Sequence, residues 1–416
     1  MKFIHAADIH LDSPLHGLSA YPDAPVERLR GASREALRAL VDKAIEEQVH
    51  FLVIAGDLYD GDWRDHNTGI FFSQQMGRLM RARIRVFVVW GNHDAESEMT
   101  RQLTLPENVT VFGSRKAESH RLEELGVVLH GRSFGERAVV DNIALHYPPA
   151  VSGYYNIGVL HTALEGYAAH ASYAPCTRAE LHAKGYDYWA LGHVHEYQQW
   201  DERSRIVFPG NLQGRSVRET GRRGAVLVTV DQGGTQVERL YMDVLRWESV
   251  DVDASPFDSI QGLSQGIGLK LEEVLGNDGH VPRAVRVTLK GMTNLHGELL
   301  TSKPLLRAEV LNRIGMIGND RLWLEKVRVA TQPAEQEAAD LGGIEALADF
   351  RQILAGAVVN PELHEQLHQD LQAFLGRVPS ALHTDVPLLT LVRNREMAEV
   401  IRQIQPSLLA RIEREN

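Results

Sequence analysis

The first part of the chain is built from short apolar runs that each break off in a cluster of Gly, Asp, Asn or His: "KFIHAADIH", "FLVIAGDLYD" and "RVFVVWGNHD". Runs of this length ending in turn-forming residues predict strands. Between the first two lies "SREALRALVDKAIEEQ", with Leu37, Leu40, Val41, Ala44 and Ile45 at helical spacing. Between the second and third, Phe71, Phe72, Met76, Leu79 and Met80 repeat that period. The result is strand, helix, strand, helix, strand, the pattern of a layered α/β domain. In such sheets chemistry gathers beyond the carboxyl ends of the strands, where every polar cluster here falls.

Further strands are expected at "YNIGVLHT", "YDYWALGHVH", "RIVFPGN", "GAVLVTVD" and "QVERLYM", a density that suggests a second sheet packed on the first. From Trp247 the pattern restarts: "WESVDVD", a helix ending near Leu275, "PRAVRVTLKG", a helix around Leu305 to Ile314, and "RLWLEKVRV" predict a small βαβαβ domain. From Pro333 onward the chain reads as helical, with Asn360 as a cap, Pro361 at the first helical position, and Leu363, Leu367, Leu371, Phe374 and Leu375 along one face. The expected division is residues 1–246, 247–332 and 333–416. Phe71, Phe72 and Met76 could form the face of a homodimer, although a buried helix face explains them more simply.

Composition narrows the class. One cysteine, Cys176, rules out an internal disulfide framework or a thiolate zinc site and fits a reducing, cytoplasmic setting. The N-terminus turns polar at once and no later run approaches membrane-spanning length, so a soluble protein is expected. The net charge of -11 does not advertise a nucleic-acid binder, yet Arg205, Arg215, Arg218, Arg222 and Arg223 stand together against the single acid Glu219. Those arginines are equally candidates for DNA phosphate contacts and for a solvated loop. The cluster Arg78, Arg81, Arg83 and Arg85 is explained by a helix C-terminus.

The candidate chemistry lies at the strand ends: Asp8 and His10 in "DIH", Asp57 and Asp60 in "GDLYD", Asn92, His93 and Asp94 in "GNHD", His161 in "VLHT", and His193 and His195 in "GHVH". A lone pair of this kind is usually a cap, and a lone histidine usually a hydrogen-bonded core residue. Five strand ends bringing such donors to one edge predict a metal site. In an extended chain His193 and His195 would project into the same small volume. Carboxylates, an amide and imidazoles without thiolate suit manganese, iron or zinc, and the donors exceed the needs of one ion. Two divalent ions sharing a carboxylate would suit phosphoester chemistry.

D-x-H, G-D-x-x-D, G-N-H-D, a lone His and G-H-x-H, in this order, resemble the motifs of the calcineurin-like metallophosphoesterases. More narrowly, "HAADIHLDSPL", "GDLYDGDW", "YDYWALGHVHEYQ", "FPGNLQGRSVRETGRRGAVLV" and the βαβαβ segment are similar to the SbcD nuclease subunits and the YhaO-type DNA repair exonucleases. The resemblance implies a layered domain with two packed sheets, a βαβαβ capping domain and a helical C-terminal region. It implies that Asp8, His10, Asp57 and His195 hold one metal, with Asp57 bridging to a second metal held by Asn92, His161 and His193, and that both ions are manganese. His93 would act on the phosphate, with Asp94 fixing its orientation. Asp60 stands where other relatives carry a second non-ligand histidine, which puts a two-histidine proton transfer in doubt. The expected activity is DNA phosphodiester cleavage by metal-activated hydroxide, with a small-molecule phosphodiesterase or phosphatase as the alternative. Arg215, Arg218, Arg222 and Arg223 would hold DNA, and an SMC-like ATPase of the SbcC type would be the partner, docking on helices after residue 332.

Overall fold

The computed structural model describes the chain except for residues 14–25, 61–65, 97–103, 166–172, 277–280, 319–320, 335–344, 376–377, 379–386 and 416. The ends of the quoted stretches "HAADIHLDSPL" and "GDLYDGDW", and residues 335–344 of the expected helical tail, lie outside the described residues; Pro333, expected to open that tail, instead lies in a short strand, Gln332–Pro333, paired with Met292–Thr293. The chain divides into two compact units, one comprising Met1–Glu248 and His280–Ala284, the other Ser249–Gly279 and Val285–Asn416.

The first unit contains β1 (Lys2–Ala6), α1 (Val26–Glu46), β2 (Phe51–Ala55), α2 (His66–Arg81), β3 (Arg85–Val89), α3 (Asn92–Glu96), β4 (Val109–Val111), β5 (Glu118–Leu122), β6 (Val127–Gly131), β7 (Tyr155–His161), α4 (Arg178–Ala183), β8 (Tyr188–Gly192), β9 (Gln198–Asp201), β10 (Arg205–Phe208), β11 (Gly224–Asp231) and β12 (Gly234–Tyr241). They form two sheets, ordered β12-β11-β1-β2-β3-β4 and β5-β6-β7-β8-β10-β9. In the first, β1 to β4 run parallel and β11 and β12 extend the sheet antiparallel. In the second, β6, β7, β8 and β10 run parallel.

Alternation along each strand decides which layer a residue joins. Phe3, Phe51, Val53, Phe87 and Val89 face Leu129, Ile157, Val159, Tyr188 and Val207 in a core between the sheets. Their neighbours Ile4, Leu52, Ile54, Val86 and Val88 pack under Leu37, Leu40 and Val41 of α1 and Phe72, Met76 and Leu79 of α2. Phe71, Phe72 and Met76 are thus buried core residues, and the homodimer face suggested for them does not exist. The outer face of the second sheet buries Leu160, Trp189, Leu191, Ile206 and Phe208 with Leu181 and Tyr186. This is a layered α/β fold with two packed sheets.

In the second unit, β13 (Arg246–Asp253), α5 (Ile260–Leu275), β14 (Arg283–Lys290), the short β15 (Met292–Thr293), α6 (His296–Thr301), α7 (Lys303–Gly318), β16 (Leu322–Val329) and the short β17 (Gln332–Pro333) follow in sequence. The main sheet is ordered β13-β14-β16, and α5 and α7 bury Leu263, Ile267, Leu271, Leu306, Val310 and Ile314 against Val285, Val287 and Leu324. The C-terminal helices are α8 (Glu345–Val358), α9 (Pro361–Leu375), α10 (Pro387–Arg393) and α11 (Met397–Glu415). The Asn360 side chain accepts from the backbone N–H of Glu362 at 3.1 Å and of Leu363 at 3.2 Å, capping α9. Leu367, Leu371 and Leu375 pack on Val392, Met397 and Val400. Phe374 does not join them and is 56% exposed, because the buried stripe is rotated toward His368 and leaves Phe374 at its edge. Among the described residues no helix is long and apolar enough to cross a membrane.

Candidate metal centre

The polar strand ends of the first unit meet at one place. Asp8 and His10 follow β1, Asp57 follows β2, Asn92 and His93 open α3 after β3, His161 ends β7, and His193 and His195 follow β8. The backbone is bent hard there: Asp8, His10 and Asp57 have φ of 49°, 44° and 51°, and His193 reaches 104°. Side-chain-bearing residues adopt such angles only where surrounding structure holds them. Here backbone hydrogen bonds tie the two loops together, from Asp8 N to Gly56 O at 3.0 Å and from His10 N to Asp57 O at 3.0 Å.

The strand β8 stops at Gly192, so His193 and His195 are not successive same-side residues of an extended strand, as their spacing suggests. Gly192 lies so close to β2 that a Cβ would sit 1.9 Å from Ala55 O. The turn that follows separates the two imidazoles. His195 joins Asp8 and His10, while His193 joins Asp57 and His161, and in each group the donor atoms lie within 4.8 Å of one another. Asn92 Oδ1 is 3.0 Å from His161 Nε2. Asp57 lies between the groups, its Oδ2 3.8 Å from His10 Nε2 and 3.5 Å from His161 Nε2.

The ring orientations test whether the donors fit cations. His10 Nδ1 is 2.8 Å from Asp60 Oδ1, and His195 Nδ1 is 2.7 Å from Glu219 Oε1. Burial opposes ionisation of both carboxyls, but His10 on Asp60 and His195 with Arg215 on Glu219 hold each well below the usual carboxylate range. Carboxylates only accept, so both Nδ1 atoms carry the proton and both Nε2 atoms present lone pairs. Those two Nε2 atoms face each other at 3.3 Å. Burial and the nearby Arg215 push His10 down to about 4, so protonation of His10 does not resolve the conflict. A shared cation does. Burial and the charge of Asp57 push Asp8 well up, while at Asp57 burial is outweighed by His161, His10 and His93, which hold it down to about 2, ready to serve as a charged donor. The donor set fits divalent metal.

A further group brings His10, Asp60 and His93 together. Its Asp60 contact uses the back of the His10 ring, so it reads as hydrogen bonding that orients side chains. His93 is the exposed member of the site, its side chain 36% accessible, with Nδ1 3.2 Å from Asp60 Oδ1. Asp94 does not hold His93. Its buried carboxylate accepts from the backbone N–H groups of Leu58, Tyr59 and Gly91 at 3.1, 2.8 and 3.0 Å, because α3 turns it inward beneath the Asp57 loop. Burial and the charge of Asp57 raise Asp94 to about 7.

The arginines divide. Arg223 is buried beneath the site and donates to His195 O, Asn211 Oδ1 and Thr220 O, so it is a structural residue and not a DNA contact. The reason is its position at the mouth of β11, where Arg223 N also donates to Asp243. Arg215 lies behind His10 and His195, between Asp60 and Glu219. Arg218 and Arg222 remain exposed, with Arg222 stacked 4.8 Å over Tyr241. The orienting role of Glu219 was not read from the sequence. Its one signal there is that it is the sole acid in an arginine-rich segment.

With this geometry in view, comparison with known proteins adds the lineage. The calcineurin-like phosphoesterase family model matches residues 1–197, and the chain belongs to the calcineurin-like metallophosphoesterase family. Within that class, residues 247–332 match the middle domain of the metallophosphoesterase YhaO. The metallophosphoesterase YhaO of Bacillus subtilis (strain 168) is 34% identical over 70% of this chain and 72% of its own. The DNA double-strand break repair protein Mre11 of Methanopyrus kandleri is more distant, 26% identical over 70% of this chain and 65% of its own length. Among solved structures, a dimetal phosphatase from Danio rerio is similar over 58% of this chain and 96% of its own, at 12% identity and a TM-score of 0.37, which adds nothing to the fold described above.

Proposed function

We propose that the protein is a two-metal DNA phosphodiesterase, a nuclease of DNA repair. The observation that carries the two-metal reading is the pair of donor groups meeting at Asp57. Asp8, His10, Asp57 and His195 would hold one divalent ion, and Asp57, Asn92, His161 and His193 the other; the oxygen and imidazole donors suit manganese, iron or zinc, and the family resemblance favours manganese. Such ions, when bound, supply Lewis acidity that activates water and neutralises a phosphoryl group. The chain's own part is positional. Asp94 anchors the loops carrying Asp57 and Asn92 through three backbone hydrogen bonds, so the donors converge without rearrangement. Asp60 Oδ1 lies 3.2 Å from His93 Nδ1, on the side of the ring away from Nε2, which would be left for a phosphate oxygen or the leaving oxygen.

The DNA substrate is supported by the named role of the Mre11 relative and by the exposed Arg218 and Arg222. The motif resemblance to SbcD nuclease subunits supports an SMC-like ATPase as partner, and the single cysteine fits a cytoplasmic setting. Exposed Ile353 and Phe374 on the C-terminal helices, with Val359 in the turn between α8 and α9, offer apolar surface for it, although α11 also packs on α6 of its own unit. The deciding experiment is a manganese-dependent assay on linear duplex DNA of defined ends, run beside bis(p-nitrophenyl) phosphate and its monoester. DNA degradation suppressed by chelator is expected. Turnover of the monoester with DNA left intact would instead make it a small-molecule phosphatase.

A further inference from the structure

The two halves of the donor set are not held in the same way. In one, His161 Nδ1 meets the neutral backbone carbonyl Ala55 O at 3.0 Å. In the other, His10 and His195 each meet a carboxylate, and Arg215 joins those two carboxylates. Its Nη1 lies 3.5 Å from Asp60 Oδ2, its Nη2 3.3 Å from Glu219 Oε1, and its backbone N–H donates to Glu219 Oε2 at 2.7 Å. Asn211 Nδ2 donates to the same oxygen at 2.9 Å. A planar guanidinium can span two carboxylates in fixed geometry, which a point charge cannot.

We propose that Arg215, Asp60 and Glu219 form a positioning brace that makes the His10 and His195 half the tighter of the two ion sites, and that Arg215 is not a DNA contact. The inference rests on the two-ion reading above. Two features give the order of affinity. A histidine whose far nitrogen donates to a carboxylate is a better ligand than one donating to a carbonyl, and it is locked in the ligating tautomer. This half also contains a carboxylate of its own, Asp8, beside the shared Asp57, whereas the other has Asn92 and imidazoles. Arg215 would have to leave both carboxylates to reach a phosphate, and the two rings would lose their common support.

The test is calorimetric titration of the metal-free full-length protein with manganese chloride. Wild type should bind two ions of unequal affinity. E219A and R215A should weaken the tighter ion by about 10- to 100-fold and leave the other unchanged. E219Q, which keeps an acceptor oxygen, should lose less than E219A, and R215K should lose less than R215A. Equal weakening of both ions, with a lowered unfolding midpoint, would reduce the three residues to general structural roles and overturn the proposal. Unchanged manganese affinities in R215A, with weaker binding of a linear duplex, would overturn it by making Arg215 the phosphate contact. If wild type takes up no manganese, the two-ion reading itself fails, and the brace with it.

Discussion

The site-bearing loops of the first unit and the βαβαβ sheet of the second are both made of strands and helices in simple alternation, yet they use their backbone differently. In the first, Asp8, His10, Asp57 and His193 all take positive φ, and Gly91 and Gly192 have no room for a methyl group. In the second, the only non-glycine residue with positive φ among the described residues is Arg395, far along the C-terminal helices. Its helix glycine Gly315 faces open space. The difference shows where the protein holds strain. Gln48, Arg83 and Ala174 take positive φ singly elsewhere in the first unit, and Gly266 and Gly291 are crowded by side chains in the second, but the cluster of such residues at neighbouring strand ends is where donor atoms from distant strands converge.

The sharpest way to break the comparison is at its centre. Asp57→Asn should abolish phosphodiester turnover and weaken both ions, because a carboxylate between two sites serves each and a neutral amide does not. Turnover of bis(p-nitrophenyl) phosphate and metal content per chain check this, and two tightly bound ions with normal turnover would remove Asp57 from the bridging position. His93→Ala should lower turnover by about 10²- to 10⁴-fold with metal content intact, as expected of a group that acts on the phosphate. Loss of an ion in that variant would make His93 a ligand.

Substituting glycines compares the two backbones directly. Gly192→Ala would drive a Cβ against Ala55 O, with no flexible side chain to give way. Destabilisation of about 1 to 3 kcal/mol is expected, together with weaker metal binding, since the displaced loops carry Asp57 and His193. Chemical denaturation and manganese titration of the variant measure both.

A pH effect sharpens the contrast from the sheet interface. His5 is fully buried between the two sheets, with Nδ1 3.0 Å from Tyr188 Oη and Nε2 3.1 Å from Leu191 O. Burial pushes it down to about 3, only partly offset by the Leu191 carbonyl. Between the ordinary histidine value of 6.5 and about 3, the unfolded chain binds a proton that the folded one refuses. Its contribution is therefore complete above that window and is lost as pH falls, by up to roughly 1.4 kcal/mol per unit. The stability difference between wild type and His5→Gln in metal-free protein should shrink from pH 7 to pH 5, and a difference independent of pH would contradict it. The smallest effect belongs to the second unit. Gly315→Ala lies within α7 with nothing to meet and should raise stability by about 0.5 to 1 kcal/mol without touching metal affinity.

Some of the architecture was legible from pattern and some was not. The strands β1, β2, β3, β7 and β8 announce themselves as apolar runs ending in polar clusters. The strand β6 is as buried and as long as β2 and β8 but no cluster of Asp, Asn or His follows it, and its partner β5, "ESHRL", is mostly polar because it lies at the sheet edge. Pattern also placed Phe374 on the packed face of α9, since periodicity fixes that a stripe exists but not how far it is rotated. At the site, the family resemblance gave Asp94 to His93, while the short helix α3 turns the Asp94 carboxylate inward to the backbone of Leu58, Tyr59 and Gly91. Arg223 looked like a surface cation because nothing in a row of arginines distinguishes one that closes over a buried loop.

What the sequence by itself determined is the inventory: which strand ends carry oxygen and nitrogen donors, that no thiolate is among them, and that glycines stand beside them. Donor types follow from side-chain chemistry, and alternation along short buried strands delivers those ends to one edge of the sheets. Only the tertiary structure decided which donor faces which. His10 and His195 are separated by 185 residues, and their Nε2 atoms meet at 3.3 Å because Asp60 and Glu219 hold the opposite nitrogens. That pairing depends on the turn after Gly192 and on packing between two sheets, and contacts across such spans leave no local period in the chain from which they could be read.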